Sequence, residues 1–518
     1  MPKRTFVYGA AILLGANLIN RVLGFTYQYL IMSNIGGEAY GLFNMVFPVY
    51  MMALVLTTAG IPLAVSKMVA EEVSLGRYHQ AEHIFKVALI LLTISGGIVS
   101  ILLHLLAPLL ANRIFPDARI LKVFLICTPA IFIVSVASAF RGYFQGLQNM
   151  IPTAVSQICE QIIRVLIGFS SALRLMPLGV EWAAGGLALG MLCGEGIGLL
   201  VIILQYKFKK NKNRSLSSLD GGRSNLGVQN IIKRLFEIAS PVTAGRFLAT
   251  GLSTLDAMVI PSRLRAAGYT AREATTMFGS LGGTAFTLLT FPSVFTFALA
   301  TSLVPAISEA AARKQFQIVR SRSTEAIRLT VLMGIPCLIL LFFFAYPLAK
   351  IFKSENIAPV LQILAIGGIF SYLQQTTVGI LQGLGKAHTP VLHSIIGAII
   401  RIPVIFMLTG MAEWGLAGSA LGYVLGFFVV AILNISAIIR HTGMAIDLPH
   451  FVLQPLSAGL GMVLILKLLA PINSVFAGWF MLKVLVGVTI YLIILFINGG
   501  ITYSDLRRIP WLNKLVPR

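Results

Sequence analysis

Charge is what this sequence has least of: Asp, Glu, Lys and Arg make up 11% of its 518 residues, less than half the roughly 25% of soluble domains. Beside 57% apolar residues, that scarcity excludes a soluble globular chain. Cysteine is nearly absent. Cys127, Cys159, Cys193 and Cys337 fall inside apolar runs with no paired spacing, which excludes a disulfide framework and a thiolate metal site. No Gly-x-x-x-x-Gly-Lys-Ser/Thr loop occurs, so the chain brings no nucleotide-driven motor and no cofactor is implied. Of the seven histidines, His79, His83, His388, His393, His441 and His450 stand near helix ends, and His104 reads as a hydrogen-bonded core residue. None has metal-ligand spacing. Acids are outnumbered, 18 against 40 basic residues, for a net charge of +22. Most of that excess lies in short loops between apolar runs, which points to a membrane and away from nucleic acid.

What is present is a series of apolar runs long enough to cross the roughly 30 Å hydrocarbon core. Hydropathy and flanking charge predict an all-α integral membrane protein with about fourteen spans. They are 5–32, 41–70, 82–110, 120–147, 152–174, 182–206, 231–260, 277–310, 325–349, 358–384, 390–411, 415–439, 451–470 and 474–499. The first follows Lys3 and Arg4 as a secretory signal would. It continues to Met32, carries Arg21 and has no small-residue cleavage site, and so reads as a retained helix. The positive-inside rule places both termini and the basic stretch Lys207–Arg234 in the cytoplasm. Two outside loops run against the rule, Arg113–Lys122 and Arg263–Arg272.

The sequence repeats itself across that stretch. Gln145-Gly146-Leu147 recurs as Gln382-Gly383-Leu384, followed in each case by a proline, Pro152 and Pro390. Ile162-Ile163-Arg164 recurs as Ile399-Ile400-Arg401, and Glu181-Trp182 as Glu413-Trp414. Gly186, Gly190 and Gly194 then match Gly418, Gly422 and Gly426. The order of these matches implies two pseudo-symmetric six-helix lobes, residues 1–208 and 231–445. Between them lies a basic linker, 209–230, and after them two further helices and a basic tail, 446–518. An even repeat sets the pseudo-two-fold axis along the membrane normal. The glycine stripes stack on one helix face, as either a packing seam or a moving interface.

Arginines inside spans carry the functional argument, because each costs at least about 2.5–3.5 kcal/mol at the bilayer centre. Arg21, Arg164, Arg246 and Arg401 are mid-span; Arg141 is near a helix end and reads as a surface anchor. The clear intramembrane acids are Glu160, Glu195 and Asp256, which are candidates for ion coupling. Glu160 stands four residues before Arg164, so a helix-surface ion pair competes with a substrate role for that arginine. The surplus of positive charge predicts an anionic ligand, and guanidinium forks suit a phosphate or diphosphate.

Arg21-Val22-Leu23-Gly24-Phe25 resembles the Arg-Val-Leu-Gly-Phe signature of the lipid II flippases. Tyr40-Gly41-Leu42-Phe43, Gly60-Ile61-Pro62, Val65-Ser66-Lys67 and Val69-Ala70-Glu71 resemble the polysaccharide-biosynthesis and stage V sporulation protein B branch. Both belong to the multidrug, oligosaccharidyl-lipid and polysaccharide exporter superfamily. The resemblance implies two lobes around a cavity of alternating access, with arginines on a diphosphate-sugar head and a groove at the last two helices for a polyprenyl tail. It gives Arg21 a cavity role. The second arginine of the lipid II flippases falls on Tyr27, and their acid before the second helix falls near Gly41. Some relatives hold a cation between acids of two second-lobe helices; Asp256 offers one such acid and span 390–411 has none.

The implied function is translocation of an undecaprenyl-diphosphate-linked oligosaccharide, a peptidoglycan precursor for cell-wall or spore-cortex synthesis, across the cytoplasmic membrane. Its partners would be that substrate, membrane lipids and cell-wall polymerases. A cation-coupled multidrug antiporter of the same superfamily and a non-transporting scaffold of envelope synthesis are the alternatives.

Overall fold

A chain inside lipid must satisfy its backbone hydrogen bonds within each segment, so apolar runs of this length become helices. The computed structural model describes residues 4–58, 60–217, 227–444, 449–469 and 477–501. The middle of the predicted linker, with Ser218, and the tail with Arg507, Arg508, Lys514 and Arg518 lie outside the described residues.

Two compact units divide the chain. The first runs to Thr284 and takes in Phe352–Ser354 and Gly410–Glu413. Its helices are α1 (Arg4–Asn34), α2 (Gly37–Thr58), α3 (Ile61–Ser74), α4 (Tyr78–Leu109), α5 (Leu121–Gly146), α6 (Ile151–Leu175), α7 (Val180–Ser217), α8 (Val228–Ala266) and α9 (Ala271–Ser280). The second unit holds α10 (Thr287–Thr290), α11 (Ser293–Ala312), α12 (Phe316–Phe343), α13 (Ala345–Ile351), α14 (Ala358–Gly383), α15 (His388–Thr409), α16 (Gly415–Thr442), α17 (Gln454–Leu468) and α18 (Ala477–Ile497).

Among the described residues, 12 helical stretches are long and apolar enough to cross a membrane. α1 and α8, of 31 and 39 residues, occupy the predicted spans 5–32 and 231–260. Three predicted spans are interrupted. The 41–70 span parts into α2 and α3 at Gly60, where Pro62 lacks an N–H and suits the first turn of a new helix. The 277–310 span passes from α9 through a π-helical turn, Leu281–Phe286, into α10 and then α11 after Pro292. The 325–349 span breaks at Phe344 between α12 and α13.

In the first unit, Phe85 packs its ring 5.0 Å from Phe140 and 5.2 Å from Tyr206, tying α4, α5 and α7 together. The outer face of α4 is left apolar and exposed, with Leu105 at 70%, as suits a helix surrounded by lipid tails. In the second unit, α17 and α18 dock on α12 through Met462, Leu466 and Leu495. The Tyr491 hydroxyl donates to the Leu332 carbonyl at 2.9 Å.

Candidate functional site: buried arginines and an apolar groove

Four of the charged residues in the first unit converge. The Arg164 Nη2 on α6 donates to Glu160 Oε1 at 2.7 Å and to Glu195 Oε1 on α7 at 2.8 Å. The other oxygen of Glu160 accepts from Arg141 Nη2 on α5 at 2.8 Å, and that same nitrogen stands 4.0 Å from Glu195 Oε2. Two guanidinium groups and two carboxylates thus close a neutral tetrad. Three helices meet there because α7 presents glycines. A Cβ at Gly194 would stand 2.8 Å from the Glu160 carbonyl, and one at Gly186 2.5 Å from the Ala172 amide nitrogen. The stripe therefore acts as a packing seam, and the i,i+4 pair Glu160–Arg164 forms. Arg141 corrects the sequence reading. It is an inward-facing member of the tetrad, 17% exposed, and not a surface anchor.

Tyrosines border this cluster. Tyr50 on α2 is 2% exposed, and its hydroxyl has no hydrogen-bond partner among the described residues. Glu195, Arg164 and Glu160 are among the charges it senses. Tyr27 sets its hydroxyl against Gly168 of α6 and within the field of Arg164. Sequence reading missed Tyr50 altogether, since nothing distinguishes one tyrosine in an apolar run.

The equivalent helices of the second unit repeat the packing and not the charge. A Cβ at Gly426 would stand 3.1 Å from Arg401 Cδ, and one at Gly418 2.7 Å from the Thr409 amide nitrogen. Arg401 stacks on Tyr423, with its guanidinium carbon 4.8 Å from the ring centroid. Neither α15 nor α16 contains an acidic residue. Their polar network is built without acids: His393 Nδ1 lies 2.7 Å from Asn434 Oδ1, and Asn434 donates to Thr377 Oγ1 at 3.1 Å. His104 is hydrogen-bonded as expected, 2.8 Å from Thr128 Oγ1, but it is exposed on α4 and is not the core residue the sequence suggested.

The remaining predicted site residues of the first unit lie on α1 and α8: Arg21 half-buried, Arg246 exposed and Asp256 buried. At the ends of these helices an ionic clamp joins separate loops. Glu38, in the first turn of α2, accepts from Arg119 Nη1 at 2.6 Å and from Arg272 Nε on α9 at 2.9 Å. Asp117 accepts from Arg119 Nη2 at 2.8 Å and from Thr275 Oγ1 at 2.9 Å. Gly41 lies against the Thr275 backbone, with no room for a side chain.

An apolar cavity of about 670 Å³ opens in the second unit between α12, α14 and α17. Its walls include Ile335, Ile339, Ile366, Ile369 and Leu460, and Lys467 also lines it. The resemblance led us to expect a groove at the last two helices; α17 supplies a wall, whereas α18 is not in the lining.

The family of polysaccharide biosynthesis proteins matches residues 6–311, more than half the chain. The chain belongs to that family. The MatE family matches residues 280–407. It is 32% identical over 530 residues to the stage V sporulation protein B of Bacillus subtilis, with 100% of both chains covered. To the lipid II flippase MurJ of the same organism it is 25% identical over 438 residues, 80% of each. Among solved structures, MurJ in an inward closed conformation superposes with a TM-score of 0.69 at 17% identity, covering 96% of this chain and 99% of that one. An inward-facing multidrug resistance MATE family transporter of the MOP superfamily also gives 0.69, at 16% identity and with 82% and 94% covered. The fold is that of the MOP superfamily, as the motifs implied, and this family member is a multi-pass membrane protein.

Proposed function

We propose that this protein is a flippase for an undecaprenyl-diphosphate-linked oligosaccharide, a peptidoglycan precursor used in cell-wall or spore-cortex synthesis. The observation that carries this reading is the cavity between α12, α14 and α17. It is apolar along its walls and has one cation, Lys467, in its lining. A long isoprenoid chain needs such walls, and an anionic head group needs the positive charge. Residues 1–208 and 231–445 would be the two lobes of alternating access in the cytoplasmic membrane, with the termini and the linker 209–230 in the cytoplasm. Arg21, Arg246 and Arg401 would receive the diphosphate, whose oxygens accept paired bonds from guanidinium forks.

The tetrad narrows the roles of the other candidates. Glu160 and Glu195 are bonded to arginine, so their role here is to hold Arg141 and Arg164, which leaves Arg164 the weaker substrate candidate. The same bonds weigh against a drug antiporter, which would need acids to attract a cation. Cell-wall polymerases would receive the product.

Reconstitution of the full chain with fluorescent lipid-diphosphate sugars tests the proposal. Transport should fall by at least about tenfold in Arg21→Lys and Arg401→Lys, which keep the charge and lose the fork. Folded protein in normal amount should remain. Undiminished transport in Arg21→Ala and Arg401→Ala would sink it.

A further inference from the structure

The two loops that run against the positive-inside rule meet in the first unit, and most of their charge is spent. Arg119 and Arg272 are bonded to Glu38. Lys122 is 3.3 Å from Glu181 Oε1 and lies over the Trp182 ring at 4.1 Å. Arg113 and Arg265 are different. Arg265 Nη1 donates to the Pro116 carbonyl at 2.7 Å, which engages one of its N–H donors and no carboxylate. The Arg113 side chain makes no hydrogen bond or ion pair among the described residues.

Both arginines line one open, polar pocket of about 480 Å³, together with Phe115, Pro116 and Ser262. The pocket adjoins the lipid-facing side of α4. Leu105 and Leu109, in its last turns, are exposed at 70% and 52%, and Ile114 beside Arg113 at 48%. A bilayer that covers those leucines would bring its phosphates to the level where α4 ends, since long basic side chains at helix ends reach for head groups. Successive spans alternate in direction, so this end of α4 is on the face opposite the C-terminal end of α7. An anchor for bulk lipid would need one arginine pointing outward. Here two from separate loops converge, and one is fixed in place by a backbone carbonyl.

We infer that this pocket is a phosphate-binding site for a membrane lipid, with Arg113 and Arg265 as its guanidinium ligands. The inference concerns a site separate from the cavity arginines and does not require that any particular cargo be transported. A phosphodiester head group and a lipid-linked diphosphate share the chemistry, and the experiment separates them.

The full chain is placed in phosphatidylcholine nanodiscs doped with phosphatidylglycerol or with a polyprenyl diphosphate. Retained lipid is then counted by native mass spectrometry after detergent extraction. Arg113→Ala/Arg265→Ala should lower retention of a phosphate lipid by at least about tenfold, with Arg113→Lys/Arg265→Lys recovering only part of it. Loss of polyprenyl diphosphate alone assigns the site to lipid-linked diphosphates; loss of phosphatidylglycerol as well assigns it to phospholipid head groups. Arg113→Ala alone guards against misfolding, because that side chain holds no internal bond. Retention of both lipids within about twofold of wild type in folded variants overturns the inference. A wild-type chain that binds here yet flips no lipid-diphosphate sugar would overturn the proposed cargo and leave this site standing.

Discussion

The α6–α7 and α15–α16 pairs are built on one plan and solve opposite problems. Each pair closes on a stripe of glycines, and in each the glycines of the later helix lie against one arginine of the earlier helix, Arg164 or Arg401. The residue four before Arg164 is Glu160, whereas four before Arg401 stands Gly397. The residue after Gly194 is Glu195, and the one after Gly426 is Phe427. Two positions thus decide whether the arginine is neutralised by its own scaffold or stacked on an aromatic ring. The packing geometry was kept through the repeat, while the charge was reassigned.

The largest expected effect breaks the first pair. Glu195→Gln leaves two buried guanidinium groups against one carboxylate, and losing one partner of a buried pair costs about 3–5 kcal/mol. The thermal midpoint should drop steeply. Arg164→Leu/Glu195→Leu keeps the Arg141–Glu160 pair and neutrality, and should lose less. Arg401→Leu, which removes a cation–π contact of about 0.5–2 kcal/mol, should lose least. Equal midpoints for Glu195→Gln and Arg401→Leu would erase the distinction between the pairs.

The glycine seams sharpen it. Gly194→Ala drives a methyl toward the Glu160 carbonyl, 2.8 Å from the Cβ position, where only backbone movement can help; overpacking of this kind costs about 1–3 kcal/mol. At Gly426 the nearest atom is Arg401 Cδ, at 3.1 Å, a flexible side chain that can yield. The gain in helix propensity, up to about 1 kcal/mol, should make Gly426→Ala close to neutral in the same thermal assay.

Much of this was legible in sequence. Run length gave the spans, because lipid forces helices, and the repeat motifs located Arg164 and Arg401 at matching places. The i,i+4 spacing of Glu160 and Arg164 exposed one edge of the tetrad. The other edges were hidden, since Arg141 meets Glu160 across the α5–α6 turn and Glu195 arrives from a third helix. No periodicity marks contacts between helices. The breaks at Gly60 and Phe344 were also invisible to hydropathy, which stays high through them. Glu38 was overlooked because its partners, Arg119 and Arg272, arrive from loops far away in sequence.

The smallest expected effect lies in the ionic clamp, outside both pairs. Burial pushes the Asp117 carboxyl up, but hydrogen bonds from Arg119 and Thr275 hold it below its usual range. A depressed carboxylate stabilises the fold above its unfolded pKa of about 3.9 and loses that contribution as pH falls through the folded value. The thermal midpoint should therefore be insensitive to this group at neutral pH and decline below about pH 4. Asp117→Asn should lower the neutral plateau and flatten that acid-side decline. An identical decline in the variant would show that other carboxylates govern it.

The neutrality of the tetrad has an electrical meaning. A charge moved across the membrane potential does work of about 2.3 kcal/mol per 100 mV. Arg141, Glu160, Arg164 and Glu195 sum to zero, so these four residues, displaced together, would neither draw on the potential nor oppose it. Arg401 sits in a helix pair that supplies no compensating carboxylate. Whatever fraction of the field Arg401 crosses is work done on its guanidinium, and an anion bound to it would offset that charge. The repeat thus places an electrically silent element in one half of the sequence and a field-sensitive one in the other.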